Sequence, residues 1–164
     1  MPAASERGGA VGGTPVPELP VRLRPLGVRV ASLVLAVGLV GTLVAVWYAM
    51  PPDIRAEFTN FQKGTVIAMM LVGFVVGHAL SRCRVDADED GLTIVNGYRT
   101  HRLDWNQVVA VTLRPGNPWA VLDLSDGTTR SALGIQGSDG NRAVRQVRQL
   151  RALVEAHSAS DPRS

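Results

Sequence analysis

The stretch from Val30 to Met50 constrains this chain more than any other, because no charged residue interrupts it. As a helix, its 21 residues reach roughly 31 Å at about 1.5 Å per residue, one hydrocarbon thickness of a bilayer. The conformation follows from the solvent: lipid offers no partner to a bare backbone amide, so a spanning segment satisfies its amides internally. A helix buried in a soluble core is the alternative, but over this length it would be expected to carry one polar face. The stretch is therefore expected to cross a membrane. Its charged approach and its apolar run are both too long for a signal peptide, and no small-x-small cleavage site follows cleanly, so a retained anchor is expected.

Before the anchor, residues 1–27 carry Pro2, Pro15, Pro17, Pro20 and Pro25 among many Gly and Ala residues. Such a composition buries too little apolar surface to offset its ordering entropy, and a disordered tail is expected. Pro51 and Pro52 stop the first helix, with Trp47 and Tyr48 just inside that end, where amphipathic rings favour the headgroup level. Asp53 can then cap a short turn. Ile54, Phe58 and Phe61 fall on one helical face, which fits either a small interfacial helix or a loop with scattered apolar residues. A second apolar run covers 64–80, flanked by Lys63 and Arg82, whose long side chains can snorkel to the interface. The two spans, about 30–50 and 64–80, make residues 28–80 a two-helix transmembrane hairpin.

Small residues recur at four-residue spacing, Gly41, Ala45 and Ala49 in the first span and Gly73 and Gly77 in the second. Small residues let helix backbones approach closely in lipid, so these are candidate packing positions within the hairpin or between copies in a homo-oligomer. Arg22, Arg24 and Arg29 precede the first span and Arg82 and Arg84 follow the second, while the connection holds only Arg55 and Lys63 against Asp53 and Glu57. By the positive-inside rule both termini are expected in the cytoplasm of a multi-pass plasma-membrane protein.

After Leu80 the pattern changes to alternation, with Cys83, Val85 and Ala87 set against Arg84, Asp86 and Asp88. Further strands are expected over 92–95, 98–103, 108–113, 119–124 and 128–133, joined by turns at Asp88–Gly91, Asn96-Gly97, Arg114–Pro118 and Ser125–Gly127. Six strands in an antiparallel meander must curl, because a flat open sheet of this size exposes its edges and one apolar face. A last helix follows, which Ser138 or Asp139 can cap. Its stripe of Ala143, Val144, Val147, Leu150 and Val154 would close the curled sheet. Arg142, Arg145, Arg148 and Arg151 lie on its other side, as a solvated face or as a contact for anionic lipid or an acidic partner. Residues 158–164 are expected to be a disordered tail.

Gly91-Leu-Thr, Tyr98-Arg, Leu103-Asp-Trp105-Asn-Gln-Val108-Val-Ala-Val111, Val121-Leu-Asp-Leu with Asp126-Gly127, and then an amphipathic helix resemble the small bacterial pleckstrin-homology-like (PH-like) domains. In particular they are similar to a membrane-attached family named for a low-molecular-weight protein antigen. The resemblance covers residues 81–157. It implies an α+β fold: the transmembrane hairpin, then a bent antiparallel sheet or split barrel, capped by the C-terminal amphipathic helix. The family's usual strand count is seven, one more than the pattern supplies. The missing strand would lie within 98–113, or an edge would be shorter. Trp105 is expected to be core, packed with Val108 and Val111.

Catalytic chemistry is not expected. His78, His101 and His157 are far apart, no HExxH, GxSxG or phosphate-cradling loop occurs, and Asp88-Glu89-Asp90 lacks the further oxygen ligands of a calcium loop. The single cysteine, Cys83, excludes an internal disulfide and a cysteine zinc cage. No cofactor and no metal are expected. Net charge is +3, but the part after Leu80 balances 11 Arg against 10 Asp or Glu, which argues against a nucleic-acid partner. PH-like domains that grip phosphoinositides use basic residues in the first hairpin loop. Here that loop is Asp88-Glu89-Asp90, which would repel phosphate. A cytoplasmic protein-interaction or scaffolding module, held to the bilayer and serving an unnamed protein partner, is the leading expectation. An anionic-lipid sensor and an accessory subunit of a transporter or enzyme complex are the alternatives.

Overall fold

The computed structural model describes residues 16–159. Of the expected tails at 1–27 and 158–164, residues 1–15 and 160–164 lie outside the described residues, and 158–159 belong to the last helix. A strand opens the described chain, β1 (Val21–Leu23). Three helices follow, α1 (Leu26–Ala49), α2 (Pro52–Glu57) and α3 (Asn60–Arg82). Then come β2 (Arg84–Ala87), β3 (Leu92–Asn96), β4 (Arg99–Leu103), β5 (Val108–Thr112), β6 (Trp119–Leu124), β7 (Thr129–Gln136) and finally α4 (Asn141–Ala159). The fold is α+β, as the sequence implies.

β1 is the seventh strand. It lies in the segment whose composition predicts a tail, and it precedes the hairpin instead of falling within 98–113. Three residues are too few for a periodicity signal. What orders them is long-range pairing: Val21, Arg22 and Leu23 sit opposite Ala87, Asp86 and Val85 of β2. Arg22 Nε meets Asp86 at 2.8 Å across this ladder, and Arg84 Nε meets the other oxygen of the same carboxylate at 2.7 Å. Leu23 is buried in the core.

All neighbouring strands are antiparallel, in two sheets ordered β1-β2-β3-β4 and β5-β6-β7. A 3-10 turn at Trp105–Gln107 separates them, capped by Asp104 and Gln107. Each sheet stays open, and no closed barrel forms among the described residues. Asn96 joins the sheets at one corner: its side-chain amide donates to Ser131 O at 2.6 Å and its oxygen accepts from Leu133 N–H at 3.0 Å. Val109 follows buried Val108 in β5 and points outward by ordinary alternation, 64% exposed, while the register shift between Val108 and Ala110 lets Val111 return to the core.

α4 packs its buried face, Ala143, Val147, Leu150, Leu153 and Val154, against this bent sheet. The expected stripe holds except at Val144, which is about half exposed. The helix also runs past His157, whose ring stacks on Trp105 with centroids 4.2 Å apart. Trp105 is core, as expected. Its indole N–H donates to Asp88 O at 3.1 Å, which satisfies the one polar group of a buried ring.

The two long helices are 24 and 23 residues, long and apolar enough to cross a membrane, and none of their residues is buried. Both extend beyond the uncharged runs. α3 begins at Asn60 because Thr59 and Gln62 form a reciprocal capping box. Between the long helices the chain does form a helical turn, α2, but Pro51 occupies its cap position and Asp53 makes no side-chain cap there. Phe58 packs edge-on against Trp47 at 5.8 Å, and the Lys63 ammonium lies 5.6 Å from the same indole.

Candidate interaction site

The hairpin is inserted into the sheet. Two residues, Arg24 and Pro25, separate β1 from α1, and one, Cys83, separates α3 from β2. The helix pair is thus the β1–β2 connection, and the module has no flexible linker to the apolar helices. Side chains from distant positions reinforce the junction. The Leu26 and Gly27 amides, orphaned at the start of α1, donate to the two oxygens of Asp139 at 3.0 Å each. Asp139, expected to cap the last helix, instead caps the first apolar helix across 112 residues of chain. On the other side, Tyr98 in the β3–β4 turn shares a hydrogen bond with His78 Nδ1 at 3.0 Å, and the Arg82 guanidinium lies over the Tyr98 ring at 5.3 Å. The Gly97 amide donates to Cys83 Sγ at 3.2 Å. Gly97, at φ +65°, brings this turn within ordinary contact of Ala79.

This connectivity corrects the reading of the acidic loop. Asp88-Glu89-Asp90 joins β2 to β3, so it is the second connection of the sheet and not the first. Asp88 closes it locally by accepting from the Asp90 and Gly91 amides at 3.1 and 3.0 Å. The first connection of the described sheet is instead the helix pair between β1 and β2.

The open surface of the module lies at β4. This strand pairs with β3 on one side and ends its sheet on the other. It carries Arg99, His101 and Arg102 within five residues. Beside it is a polar recess of about 400 Å³ lined by His101, Arg102, Gln107, Ser125, Asp126 and Arg130. The Ser125 amide donates to Gln107 O at 2.9 Å and closes the floor. The Thr128 hydroxyl and then its amide, at 2.7 and 2.8 Å, hold the Asp126 carboxyl below its ordinary range, so it is ionised at neutral pH. The recess thus holds the Arg102 and Arg130 side chains and the Asp126 carboxylate in one lining. None of these residues is among the site residues expected from the sequence. The signal available was the basic, alternating Arg-Thr-His-Arg of a strand whose partner on the far side is missing.

The expected site residues separate into three groups. Gly77 faces α1, where an added Cβ would lie 3.8 Å from Ser32 Cβ. Gly41 and Gly73 face open space, and Ala45 is exposed, so these three lie on faces that the hairpin itself does not cover. On α4, Arg142, Arg145 and Arg148 are exposed, while Arg151 Nε donates to Val111 O at 2.6 Å and occupies the free edge of β5. Arg151 thus ties α4 to β5 through Nε while remaining exposed like the other three arginines.

Three uncharacterized proteins, one from Mycobacterium bovis and two from Mycobacterium tuberculosis strains, are each 30% identical to this chain over 97 residues. The matched region is 57% of this chain and 63% of each relative, so the chain spans a little under two thirds of the relatives' length. No solved structure matches. The two-sheet module with its C-terminal helix has a counterpart among protein families: residues 82–153, which hold β2 through most of α4 and exclude β1 and the hairpin, match the family model of a bacterial PH domain.

Proposed function

We propose that this protein is a non-catalytic, membrane-anchored PH-like module that receives an extended segment of a protein partner along the open edge of β4. The supporting observation is the pairing of a free strand edge with the adjacent polar recess, both held without a linker to two membrane-capable helices. Unpaired amides and carbonyls on an edge strand give affinity by strand addition, and side-chain pockets beside it give selectivity. Arg99 and Arg102 bias the choice. They repel the same edge of a second copy and favour a partner segment with acidic side chains. The hairpin spans the plasma membrane in this reading, and the arginines flanking α1 and α3 hold the module and both termini at the cytoplasmic face. Membership of the membrane-attached antigen-named family belongs to the same reading.

The test is site-specific photo-crosslinking in native membranes. A photoreactive residue at Thr100 is expected to yield one recurrent protein adduct, and the same group at Gln149 on α4 is not. Lipid adducts alone at Thr100, or the same protein pattern at both positions, would overturn the proposal.

A further inference from the structure

The side of the helix pair carries a groove that neither the PH-like module nor the β4 edge uses. It encloses about 630 Å³ between α1 and α3. Leu33, Ala36, Leu39, Met70, Gly73 and Phe74 make its length apolar. Polar groups are confined to the end next to the sheet. There Arg29 stands one turn into α1, Ser32 one turn further, and His78 and Ser81 in the last turns of α3. No acidic residue lines the groove. Arg29 forms no ion pair among the described residues. His78 is held by Tyr98 through Nδ1, which fixes the ring at the groove mouth.

We propose that this groove is a binding site for one anionic phospholipid of the leaflet next to the PH-like module. An acyl chain lies along Gly73 and Ala36, and the phosphate meets Arg29, with Ser32 and His78 supplying hydrogen bonds. The proposal rests on the hairpin spanning the bilayer. An apolar groove alone accepts any lipid chain. The selective element is a single uncompensated guanidinium at headgroup depth, in a basic mouth between two helices. Gly73 lines the groove beside open space, where an added Cβ would find no heavy atom within 4 Å, so a larger side chain has room to occupy it. A zwitterionic lipid places its own cation beside Arg29 and loses the advantage.

The experiment is native mass spectrometry of the full chain released from micelles holding equal phosphatidylglycerol and phosphatidylcholine with identical chains. Monomers are expected to retain one lipid, with phosphatidylglycerol favoured about fivefold, the contribution of one arginine at a membrane surface. Arg29→Gln should bring the two lipids to parity, while Arg114→Gln, an exposed residue of the β5–β6 connection outside the groove lining, should leave the preference intact. Gly73→Leu places a side chain in the groove lining and should reduce retention of both lipids. Equal retention by the parent chain, an unchanged preference in Arg29→Gln, or a lipid-free dimer showing that a second copy fills the groove would each overturn the proposal. Alkaline carbonate extraction of the parent chain separates the two possible failures. Release from membranes sinks the spanning hairpin, and retention without lipid preference sinks the lipid site alone.

Discussion

Asp139→Ala tests whether the two-sheet module is mechanically continuous with the first apolar helix. The carboxylate accepts from two amides that α1 cannot satisfy itself, at 3.0 Å each, and it sits at the positive end of the helix dipole. Loss of an N-cap costs about 0.5–2 kcal/mol, and loss of the charge–dipole interaction about 0.3–1 kcal/mol more. The sum of about 1–3 kcal/mol corresponds to about 3–10 °C in melting temperature for a chain of this size. Thermal unfolding of the full chain in detergent micelles measures the total. Amide exchange measures the place: Leu26 and Gly27 should lose protection by roughly tenfold per 1.4 kcal/mol, while β6 amides are unchanged.

Gly27 supplies the decisive control. An added Cβ there would come within 2.6 Å of Asp139 Oδ1, so Gly27→Ala should break the same contact from the other partner and destabilise the chain. In the Asp139→Ala background no carboxylate remains to clash. There Gly27→Ala should change sign and stabilise by up to about 1 kcal/mol through helix propensity. Simple additivity of the two substitutions, or an Asp139→Ala melt equal to that of the parent, would refute the reasoning.

Residues 82–157 alone lack β1, so burial of Leu23 is lost, about 1.5–3 kcal/mol. A chain in which a short Gly-Ser turn replaces residues 26–82, joining β1 directly to β2, should melt about 5–20 °C above the fragment beginning at 82. Leu150→Ala, at a fully buried position of α4, should destabilise the module by about 2–5 kcal/mol in denaturant unfolding, and a cost under 1 kcal/mol would mean that α4 does not close the core. For topology, Glu57→Cys should react with an impermeant thiol reagent in intact cells and Ser158→Cys should not. Native Cys83 is 1% exposed and gives no background.

What the sequence made legible is what local pattern encodes. The apolar runs, the alternation from Arg84 to Ala87, the Asn96-Gly97 turn and the α4 stripe from Ala143 to Val154 each carry a period or a turn dipeptide within a few residues. The elements that tie the sheets to the helices carry none. β1 is three residues in a proline-rich stretch, ordered only by a partner more than sixty positions away. Asp139 lies before α4 and reads as its cap, yet its acceptors serve the amides of α1. Arg151 belongs by spacing to a solvated face but reaches a carbonyl that β5 leaves unpaired at its edge. In each case the deciding contact is a backbone group orphaned elsewhere in the chain, and no window of sequence displays it.

The insertion also gives the small residues of the helices a specific task. Adjacent strands lie about 4.8 Å apart, whereas packed helices lie about 8–10 Å apart. β1 and β2 are adjacent strands, and each continues into a helix after at most two residues. The helix axes must therefore approach most closely at the sheet end, where Ser32 faces Gly77 and Ser81 follows one turn on. Gly77→Leu should force the helices apart at that end, pull on Arg24-Pro25 and Cys83, and weaken the β1–β2 ladder. Gly73→Leu, one turn deeper and facing open space, should not. Amide exchange at Val21, Arg22 and Leu23 distinguishes the two, with faster exchange expected in Gly77→Leu alone. Equal exchange in both variants would mean that the strand pair tolerates the wider spacing and that Gly77 serves some other contact.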